Sequence, residues 1–390
     1  MSKLEELIQQ YCHDGVEYMK LGDFATDWYR GAGIKKDEVS PEGIPCIRYG
    51  EIHTTYSIWF DKCVSHTDED KQPSRKYAEY GDILFAITSE DIPFVGNSVA
   101  YVGKERILVG GDIVVMKHNQ NPKYVSYALS TIDAVKQKGK GKVKSKVVHT
   151  NVPSLQQIVI PLPPLPVQEE VARMLDLFAE LQAELQAELQ KRLQQYNYYK
   201  DNLLSFDGRA DVEWKKLGEV SSVLRGKRLT KSQLSEDGKY KVFHGGIDPI
   251  GFFEQYNREG STTMVINVGA SAGTVGFSKE RFWSSDGCFC LSHSSLFSGR
   301  YLYYYLQTKE PYLMSRVRRA GIPTLDGKVL EELLIPVPSL SEQQRIVDIL
   351  DKFDAMTTDL TAGLPAEIEK RRQQYEFYRD KLLTFKRKEA

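Results

Sequence analysis

The sequence predicts an α+β protein with two globular domains of related topology and two long helices that pack as an antiparallel coiled coil. Three observations predict this architecture. Several segments recur in the same order in both halves of the chain, which indicates an internal repeat with pseudo-twofold symmetry. Two stretches show the apolar spacing of long helices. The segments between the repeated parts mix short β-like runs with turns.

The repeated segments form a frame around two different inserts. The matching pairs are residues 16–22 with 212–218, residues 160–178 with 335–353, and residues 191–206 with 370–385. Five of seven, eight of nineteen and ten of sixteen positions are identical in these pairs. Because chance does not preserve both order and spacing, the chain is a tandem duplication. A repeated frame with divergent inserts is typical of a protein that recognises two different things at a fixed separation.

This organisation predicts four segments. They are a first globular domain (1–165), a first helix (166–206), a second globular domain (207–340) and a second helix (341–385). Apolar residues in both helical segments lie mostly three or four positions apart among Glu, Gln, Lys and Arg, as in a partly solvated coiled coil. Because the chain must return after each insert, antiparallel packing is the simplest arrangement. Gly363 and Pro365 predict a kink or short break in the second helix.

The first helix contains a regular spacer. Residues 179–190 read Ala-Glu-Leu-Gln three times. Each tetrapeptide adds about 6 Å of helix and turns its end by roughly 40°, which is close to the ~36° twist of one DNA base pair. A change in repeat number would then rotate one insert relative to the other by about one base-pair step. A highly helical spacer that does not measure the distance between the inserts (that is, without a metric role) explains the same pattern. Periodicity alone slightly favours this simpler explanation.

The inserts show the patterns of short strands and of helices. Strands are predicted around residues 82–87, 113–116, 263–266 and 287–291, and helices over residues 123–136 and 300–318.

Basic residues cluster at comparable places in both inserts. Neutralising phosphates requires Lys and Arg, and Arg can also bond guanine edges. A solvated loop is the usual explanation of one basic run, but basic groups placed alike in two inserts favour DNA contact. Nearby aromatic residues could wedge or stack, although most tyrosines serve packing. The predicted DNA-binding residues are Arg30, Lys35, Lys36, Tyr56, Lys138, Lys140, Lys142, Lys144, Lys146, Arg225, Lys227, Arg228, Lys231, Arg316, Arg318 and Arg319.

Composition and missing motifs exclude several function classes. A formal net charge of -1 excludes a uniformly basic surface, and no apolar run is long enough to span a bilayer. Five cysteines without a CxxC spacing are typical of reduced thiols in a cytoplasmic protein. The sequence contains no phosphate-binding loop, no complete methyltransferase motif and no paired-histidine metal motif. We therefore expect no catalytic residues, no metal site and no cofactor in this chain.

The repeated motifs resemble those of the specificity subunit of type I restriction-modification systems. The resemblance rests on the Ile-Pro-x-Pro-x-Leu-x-x-Gln segments (160–168 and 335–343), the Gln-Gln-Tyr-x-x-Tyr-x-Asp-x-Leu-Leu-x-Phe endings (194–206 and 373–385) and the Val-Glu-(Tyr/Trp)-x-x-Leu-Gly entries. It covers essentially the whole chain. It implies two target recognition domains, each reading one half of a split sequence in double-stranded DNA. The resemblance also favours the metric role of the tetrapeptides.

The resemblance implies partners as well. Two methyltransferase subunits would dock on the coiled coil, and restriction or motor subunits would complete the complex in the cytoplasm without a membrane. S-adenosylmethionine, ATP and Mg²⁺ would be bound by those other chains. The alternative from another class is a self-contained methyltransferase or nuclease with its own recognition domains. A third possibility is a coiled-coil adaptor that binds proteins alone.

Overall fold

The structure, a computed structural model, describes residues 2–140, 147–292, 294–359 and 361–389. The chain divides into two compact units. The first comprises Met1–Glu184 with Glu369–Ala390, and the second comprises Leu185–Ile368. Each unit contains one insert, together with the start of one repeated helix and the end of the other. The four-segment division drawn from the sequence separates domains from helices and stays a prediction.

The first unit contains two packed sheets flanked by helices. Its helices are α1 (Lys3–Tyr11), α2 (Leu21–Phe24), α3 (Tyr49–Thr54), α4 (Pro122–Leu129), α5 (Ile132–Gly139), α6 (Val152–Gln156) and the first part of α7 (Leu165–Leu203). Its strands are β1 (Tyr18–Lys20), β2 (Ala25–Arg30), β3 (Val39–Ser40), β4 (Ile44–Ile47), β5 (Trp59–Phe60), β6 (Ser65–Thr67), β7 (Tyr77–Ala78), β8 (Ile83–Ala86), β9 (Thr88–Ser89), β10 (Ser98–Tyr101), β11 (Ile107–Val109), β12 (Ile113–His118), β13 (Val148–His149) and β14 (Val159–Pro161).

The second unit repeats this plan in a smaller form. Its helices are the end of α7, then α8 (Leu217–Val220), α9 (Gly299–Thr308), α10 (Glu310–Ser315), α11 (Gly327–Glu331), α12 (Leu340–Thr358) and the start of α13 (Leu364–Leu382). The rest of α13, from Glu369, belongs to the first unit. Its strands are β15 (Glu213–Lys216), β16 (Val223–Arg225), β17 (Tyr240–Phe243), β18 (Gly251–Phe253), β19 (Thr262–Ile266), β20 (Val275–Ser278), β21 (Phe282–Ser284), β22 (Cys288–Leu291) and β23 (Leu334–Val337).

The two units share one sheet topology. The order β2-β12-β8-β10-β5 in the first unit corresponds to β16-β22-β19-β20 in the second. The order β3-β6-β4-β11-β7 likewise contains a counterpart of β18-β17-β21, including one parallel pair in each, β4 with β11 and β17 with β21. The four sequence-predicted strands correspond to β8, β12, β19 and β22. The predicted related topology of the inserts is therefore confirmed.

The repeated entry and lead-in segments pair with each other and close each insert. Tyr18 lies opposite Pro161 in the β1–β14 ladder, and Trp214 lies opposite Pro336 in the β15–β23 ladder. Close packing at this ladder explains why the entry segment ends in glycine in both copies. A Cβ on Gly218 would lie 3.0 Å from the Cβ of Glu331 in α11, and a Cβ on Gly22 would lie 3.1 Å from the Cβ of Gln156 in α6. The two segments recur together because they form one structural joint.

A repeated glutamine fixes the start of each long helix. Buried Gln168 accepts the backbone N–H of Asn121 at 3.0 Å and donates to the carbonyl oxygen of Pro163 at 2.7 Å. Buried Gln343 accepts the backbone N–H of Ser298 at 3.0 Å and donates to the carbonyl oxygens of Leu296 and Pro338. Each glutamine thus satisfies backbone groups that burial would otherwise leave without partners.

Aromatic stacking joins the long helices in the same way in both units. In the first unit the ring of Phe178 stacks on Tyr378 with centroids 5.5 Å apart. In the second unit Phe353 stacks on Tyr199 at 5.4 Å. Phe178 and Phe353 occupy matching repeat positions, as do Tyr199 and Tyr378. Each unit therefore pairs the start of one repeated helix with the end of the other, which confirms the predicted antiparallel pairing.

The predicted break in the second helix is also present. Helix α12 ends at Thr358 and α13 begins at Leu364. A Cβ on Gly363 would lie 2.7 Å from the carbonyl oxygen of Ala355, so a larger residue would force the turn open. Pro365 is tolerated because it falls in the first turn of α13, where its missing N–H leaves no helical bond unmade.

Two segments that were each predicted as one helix are divided into two helices in the structure. The helix expected over 123–136 is divided into α4 and α5, and the one expected over 300–318 into α9 and α10. Thr131 ends the first run because its hydroxyl accepts the N–H of Ala134 and caps α5. Pro311 follows the second break, where its ring suits a helix start better than a helix interior.

Candidate nucleic-acid interface

Arg30 and Arg225 occupy the same place in the two units. Each lies at the end of the edge strand that pairs with β12 or β22, namely β2 or β16. The Nη2 of Arg30 lies 2.7 Å from the Asp112 carboxylate, and the Nε of Arg225 donates to the Asp286 carbonyl oxygen at 3.3 Å. Both arginines are therefore held by the turn that leads into the central strand, β12 or β22.

The glycine after each arginine permits this close approach. A Cβ on Gly31 would collide with the carbonyl oxygen of Gly110, and a Cβ on Gly226 would collide with that of Ser285. The Arg-Gly pair recurs 195 residues apart in the sequence because the backbone crosses a neighbouring turn at both places. The sequence-based comparison of Arg30 with Arg225 thus corresponds to an equivalent structural position.

Contacts in the second unit bring its two basic groups to one face. The Nδ1 of His244 lies 3.3 Å from the carboxylate of Asp286, the residue that also holds Arg225. Val268, whose carbonyl oxygen adjoins Gly245, forms a bridge with Thr324. The backbone groups of Thr324 and Arg318 exchange hydrogen bonds of 2.9 and 3.0 Å. A continuous set of loops therefore connects the basic residues after β16 with those after α10.

A cavity of about 980 Å³ opens on this face of the second unit. Arg228, Lys231 and His244 supply its polar side, and Ile250 and Phe252 supply apolar surface. Exposed cationic groups beside apolar side chains can contact phosphates and base edges, including a thymine methyl.

The other basic residues of this unit are also accessible. Lys227 is exposed and its backbone carbonyl accepts the indole N–H of Trp283 at 2.7 Å, so the loop is anchored while the ammonium is free to reach outward. Arg316, Arg318 and Arg319 are exposed as well, and the Arg316 guanidinium lies 5.0 Å from the ring centre of Tyr312.

The first unit builds the equivalent face from different residues. Helix α3 follows β4, and its His53 lies 3.1 Å from the carbonyl oxygen of Thr88. Thr88 pairs with His149 in the β9–β13 ladder. Thr150 then donates its backbone N–H to Ile87 at 2.9 Å, which matches the bond from Leu325 to Asn267 in the second unit. Residues 147–149, at the end of the lysine-rich segment, therefore lie where residues 322–324 do.

Four predicted lysines belong to that segment. Lys140 follows α5 and is exposed. Lys142, Lys144 and Lys146 lie outside the described residues. Lys35 and Lys36 precede β3 and are exposed, and the Nζ of Lys35 lies 3.9 Å from the Glu38 carboxylate. Exposed lysines at this edge remain candidates for phosphate contact.

The structure does not support a DNA contact for two predicted residues. The side chain of Lys138 is buried, and its Nζ donates to the Ser98 hydroxyl at 3.2 Å. This burial lowers the pKa of Lys138 to about 7, because the interior disfavours the charged amine. Tyr56 is half-buried, stacks on Phe60 at 4.1 Å and accepts the backbone N–H of Val64. Both side chains are committed to packing inside the first unit.

Sequence reasoning missed the exposed apolar residues on these loops. In the second unit Ile322 is 71% exposed beside Arg318 and Arg319, and Ile247 is also exposed. In the first unit Phe94 and Tyr49 are exposed on the loop and helix that flank β9. The sequence signal that could have identified them is a large apolar residue next to Gly or Pro, as in Gly321-Ile322-Pro323. Such residues can contact thymine methyls or wedge between bases.

The frame also carries two matched exposed aromatic residues. Tyr198 is 66% exposed in the second unit and Phe377 is 63% exposed in the first. The two positions correspond in the repeated segments 191–206 and 370–385. Each lies in an edge-to-face contact with the next residue, Tyr199 or Tyr378. A duplicated exposed aromatic is typical of a surface that contacts another protein.

Comparison with known proteins explains the duplicated plan. The profile of the family described as "Type I restriction modification DNA specificity domain" matches residues 13–195 and 210–370. The chain belongs to this family. The specificity subunit of the type I restriction enzyme EcoR124I/EcoR124II from Escherichia coli is 34% identical over 296 residues, which cover 69% of this chain and 72% of that protein.

Solved specificity subunits have the same fold. The S subunit of a type I restriction-modification system from M. genitalium superposes with a TM-score of 0.62 at 19% identity, covering 95% of this chain and 96% of that one. A chain from a structural study of type I R-M complex assembly gives a TM-score of 0.59, also at 19% identity, and covers 95% and 97%. The predicted fold class is confirmed.

Family membership also confirms the predicted function class. Proteins with this pair of specificity domains determine the DNA target of a type I system and do not themselves catalyse its reactions. Specificity subunits of such systems bind DNA and assemble with methylase and restriction subunits.

Within the described ranges no helix is both long and apolar enough to cross a membrane. The same residues contain no group of three or more His, Cys, Asp or Glu side chains placed to hold a metal ion.

Proposed function

We propose that each unit binds one half of a split DNA target through the loop face that contains its repeated arginine. The observation that carries this proposal is the equivalent anchoring of Arg30 and Arg225 at edges whose other residues differ. An equivalent position lets both units approach a double helix in the same way. Different surrounding side chains let them read different bases, since phosphate contacts position a protein and base contacts specify the sequence.

The basic residues divide by role in this proposal. The lysine-rich segment around Lys140 and the exposed Lys35 and Lys36 neutralise phosphates in the first half-site. In the second unit Lys227 and Lys231 act on phosphates, while Arg228, Arg318 and Arg319 can bond base edges. The exposed Ile322 supplies an apolar contact at the same edge.

Methylation mapping in a host that carries the system tests this proposal. We expect an asymmetric motif made of two short specific parts separated by unspecified bases. A single short continuous motif would overturn the two-reader account. The purified chain by itself should transfer no methyl group and cut no DNA, and activity of the isolated chain would favour the self-contained enzyme instead. Failure of the chain to retain DNA would favour the protein-binding adaptor.

We further propose that two methyltransferase subunits dock at the matched aromatic positions. Tyr198 and Phe377 present the same side-chain type at the same repeat position, so one kind of partner surface can bind both. S-adenosylmethionine then belongs to those subunits, and ATP and Mg²⁺ belong to restriction or motor subunits. We propose that the complex works in the cytoplasm, because its target is chromosomal DNA.

The tetrapeptide segment is proposed to set the gap between the half-sites. Residues 179–190 lie inside α7, a helix that begins in the first unit and ends in the second. Removal of residues 183–186 would shorten this helix by about 6 Å and turn its end by roughly 40°. We expect the preferred gap to change while the bases read in both halves stay the same. An unchanged gap would eliminate the metric role.

A further inference from the structure

An aspartate on each frame helix holds the neighbouring insert through several directed bonds. In the first unit the Asp176 carboxylate on α7 accepts the indole N–H of Trp59 and the hydroxyl of Tyr127, both at 2.8 Å. It also accepts the Nζ of Lys123 at 2.7 Å. Lys123 in turn lies 3.6 Å from the ring centre of Trp59. Three side chains from two segments, strand β5 and helix α4, therefore converge on one carboxylate of α7.

The second unit repeats this arrangement with a different cation. Asp351 on α12 accepts the hydroxyl of Tyr304 at 2.5 Å and the Nε of Arg300 at 2.7 Å. The Nη2 of Arg300 also donates to Asp354 at 2.7 Å. The guanidinium lies within 5 Å of the ring centres of Phe277, Tyr303 and Tyr304. The planar guanidinium of Arg300 thus bonds two carboxylates at once, Asp351 and Asp354, whereas the single ammonium of Lys123 bonds one.

The two sets occupy matching positions in the fold. Asp176 and Asp351 correspond in the repeated frame segments 160–178 and 335–353. Lys123 and Tyr127 are the second and sixth residues of α4, and Arg300 and Tyr304 are the second and sixth residues of α9. The next shared tyrosine supports the match, since Tyr124 and Tyr301 donate to the carbonyl oxygens of Pro161 and Pro336.

Directed bonds constrain geometry more tightly than apolar packing does. The Asp176 side chain is 16% exposed and that of Asp351 is 45% exposed. Desolvation offsets the attraction in the more buried network and solvent screens it in the other, so neither network adds much net stability. The bonds of the Asp176 network are lost, however, if α4 slides on α7 by about 1 Å or rotates enough to misalign the donors. A network of this kind therefore selects one orientation of the insert on the helix.

We propose that Lys123, Tyr127 and Asp176 in the first unit, and Arg300, Tyr304 and Asp351 in the second, are positioning residues that set the orientation of each recognition domain on its frame helix. They do not touch DNA in this account. Their orientation fixes how strictly the complex measures the gap between half-sites. The inference rests on the proposed reading of a split target.

Gap tolerance is the property that tests the proposal. The complex reconstituted with its methyltransferase subunits is assayed for methylation of DNA with the native gap and with gaps one base pair shorter and longer. We expect Asp176→Asn and Asp351→Asn each to lower the discrimination between native and altered gaps by about tenfold. Methylation of the native target should stay within about threefold of the wild-type rate, with the same bases read in each half.

Milder and control variants separate positioning from folding. Tyr127→Phe and Tyr304→Phe remove one bond each and keep the buried ring, so they should relax the gap preference in the same direction by a smaller factor. Glu169→Gln removes an exposed carboxylate of α7 two turns before Asp176, outside the tetrapeptide segment, and should leave the gap preference unchanged. Asp176→Lys should relax it at least as strongly as Asp176→Asn.

Two results would overturn the inference. One is full gap discrimination in both asparagine variants and both phenylalanine variants. The other is an equal loss of methylation on all three gaps, which would indicate a general structural role. A wild-type complex that does not require two separated half-sites would instead overturn the proposed function itself.

Discussion

The frame and the recognition edges of this chain obey different constraints. The contacts of Gln168 recur at Gln343, and the stack of Phe178 on Tyr378 recurs as Phe353 on Tyr199. At the edges, by contrast, α3 follows β4 in the first unit, whereas a loop with two glycines follows β17 in the second. Frame residues are held by shared partners, while edge residues can change without disturbing the frame.

The largest expected effect concerns the frame glutamines. Gln168→Leu and Gln343→Leu keep the side-chain size but leave buried backbone groups without partners. Each should lower the free energy of unfolding by about 3 kcal/mol, because a buried unpaired group costs about 1–3 kcal/mol. Urea denaturation measures this change. Similar losses at both positions are expected because each glutamine bonds one backbone N–H and one proline carbonyl oxygen.

A neighbouring residue supplies the control for that comparison. Gln344 is exposed and bonds to Asp348 one turn later. Gln344→Leu should change the free energy of unfolding by less than about 0.5 kcal/mol. A large loss at Gln168 with none at Gln343 would contradict the equivalence of the two joints.

The next effect concerns the lysine-rich edge of the first unit. Replacing Lys140, Lys142 and Lys144 together with Ala should weaken DNA binding about tenfold or more on every sequence. The slope of log K against log salt should become shallower by up to about 3, because each phosphate contact contributes about 0.9. Titrations at several salt concentrations measure both quantities. An unchanged slope would identify this segment as a solvated loop.

The matched aromatic positions give a smaller effect with a specific stoichiometry. Tyr198→Ser or Phe377→Ser should weaken the binding of one methyltransferase subunit by about tenfold, because exposed aromatic anchors contribute about 1–2 kcal/mol. Native mass spectrometry should then show complexes with one subunit for each single variant. Tyr80→Ser, at an equally exposed tyrosine of the first insert, should retain both subunits. Retention of two subunits by both variants would place the docking surface elsewhere.

The smallest effect tests the reassignment of Lys138 from surface to interior. Because burial lowers its pKa to about 7, the unfolded chain carries one more proton than the folded chain between pH 7 and about 10. Stability should therefore rise with pH in this window, by about 2 kcal/mol between pH 7 and pH 9. Lys138→Met should remove that contribution, as urea denaturation at the two pH values would show. Equal pH dependence of stability in the wild type and in Lys138→Met would show that the Lys138 side chain is exposed.

The sequence predicted what the duplication encodes. Repeated segments located the frame and the antiparallel helices, because a fixed frame leaves matching residues in the chain. Gly363 and Pro365, which have no counterpart in the first helix, located the break. The equivalence of Arg30 and Arg225 was also visible in the sequence, because each is followed by glycine. These features depend on local spacing, which a single sequence displays.

The remainder depends on which residues meet in space. A lysine in a basic run reads as exposed, and only the packing of α5 against the segment around Ser98 shows that Lys138 is buried. The partners of Asp176 come from residues 59, 123 and 127, whose spacing from residue 176 carries no pattern. Exposed apolar tips such as Ile322 look like core residues until the loops that carry them are placed.

The most direct test of the two-reader account is methylation of DNA in which one part of the target is changed at a time. With the reconstituted complex, scrambling either half or inserting one base pair between the halves should abolish methylation, while changing the intervening bases should not. Continued methylation after one half is scrambled would contradict the account.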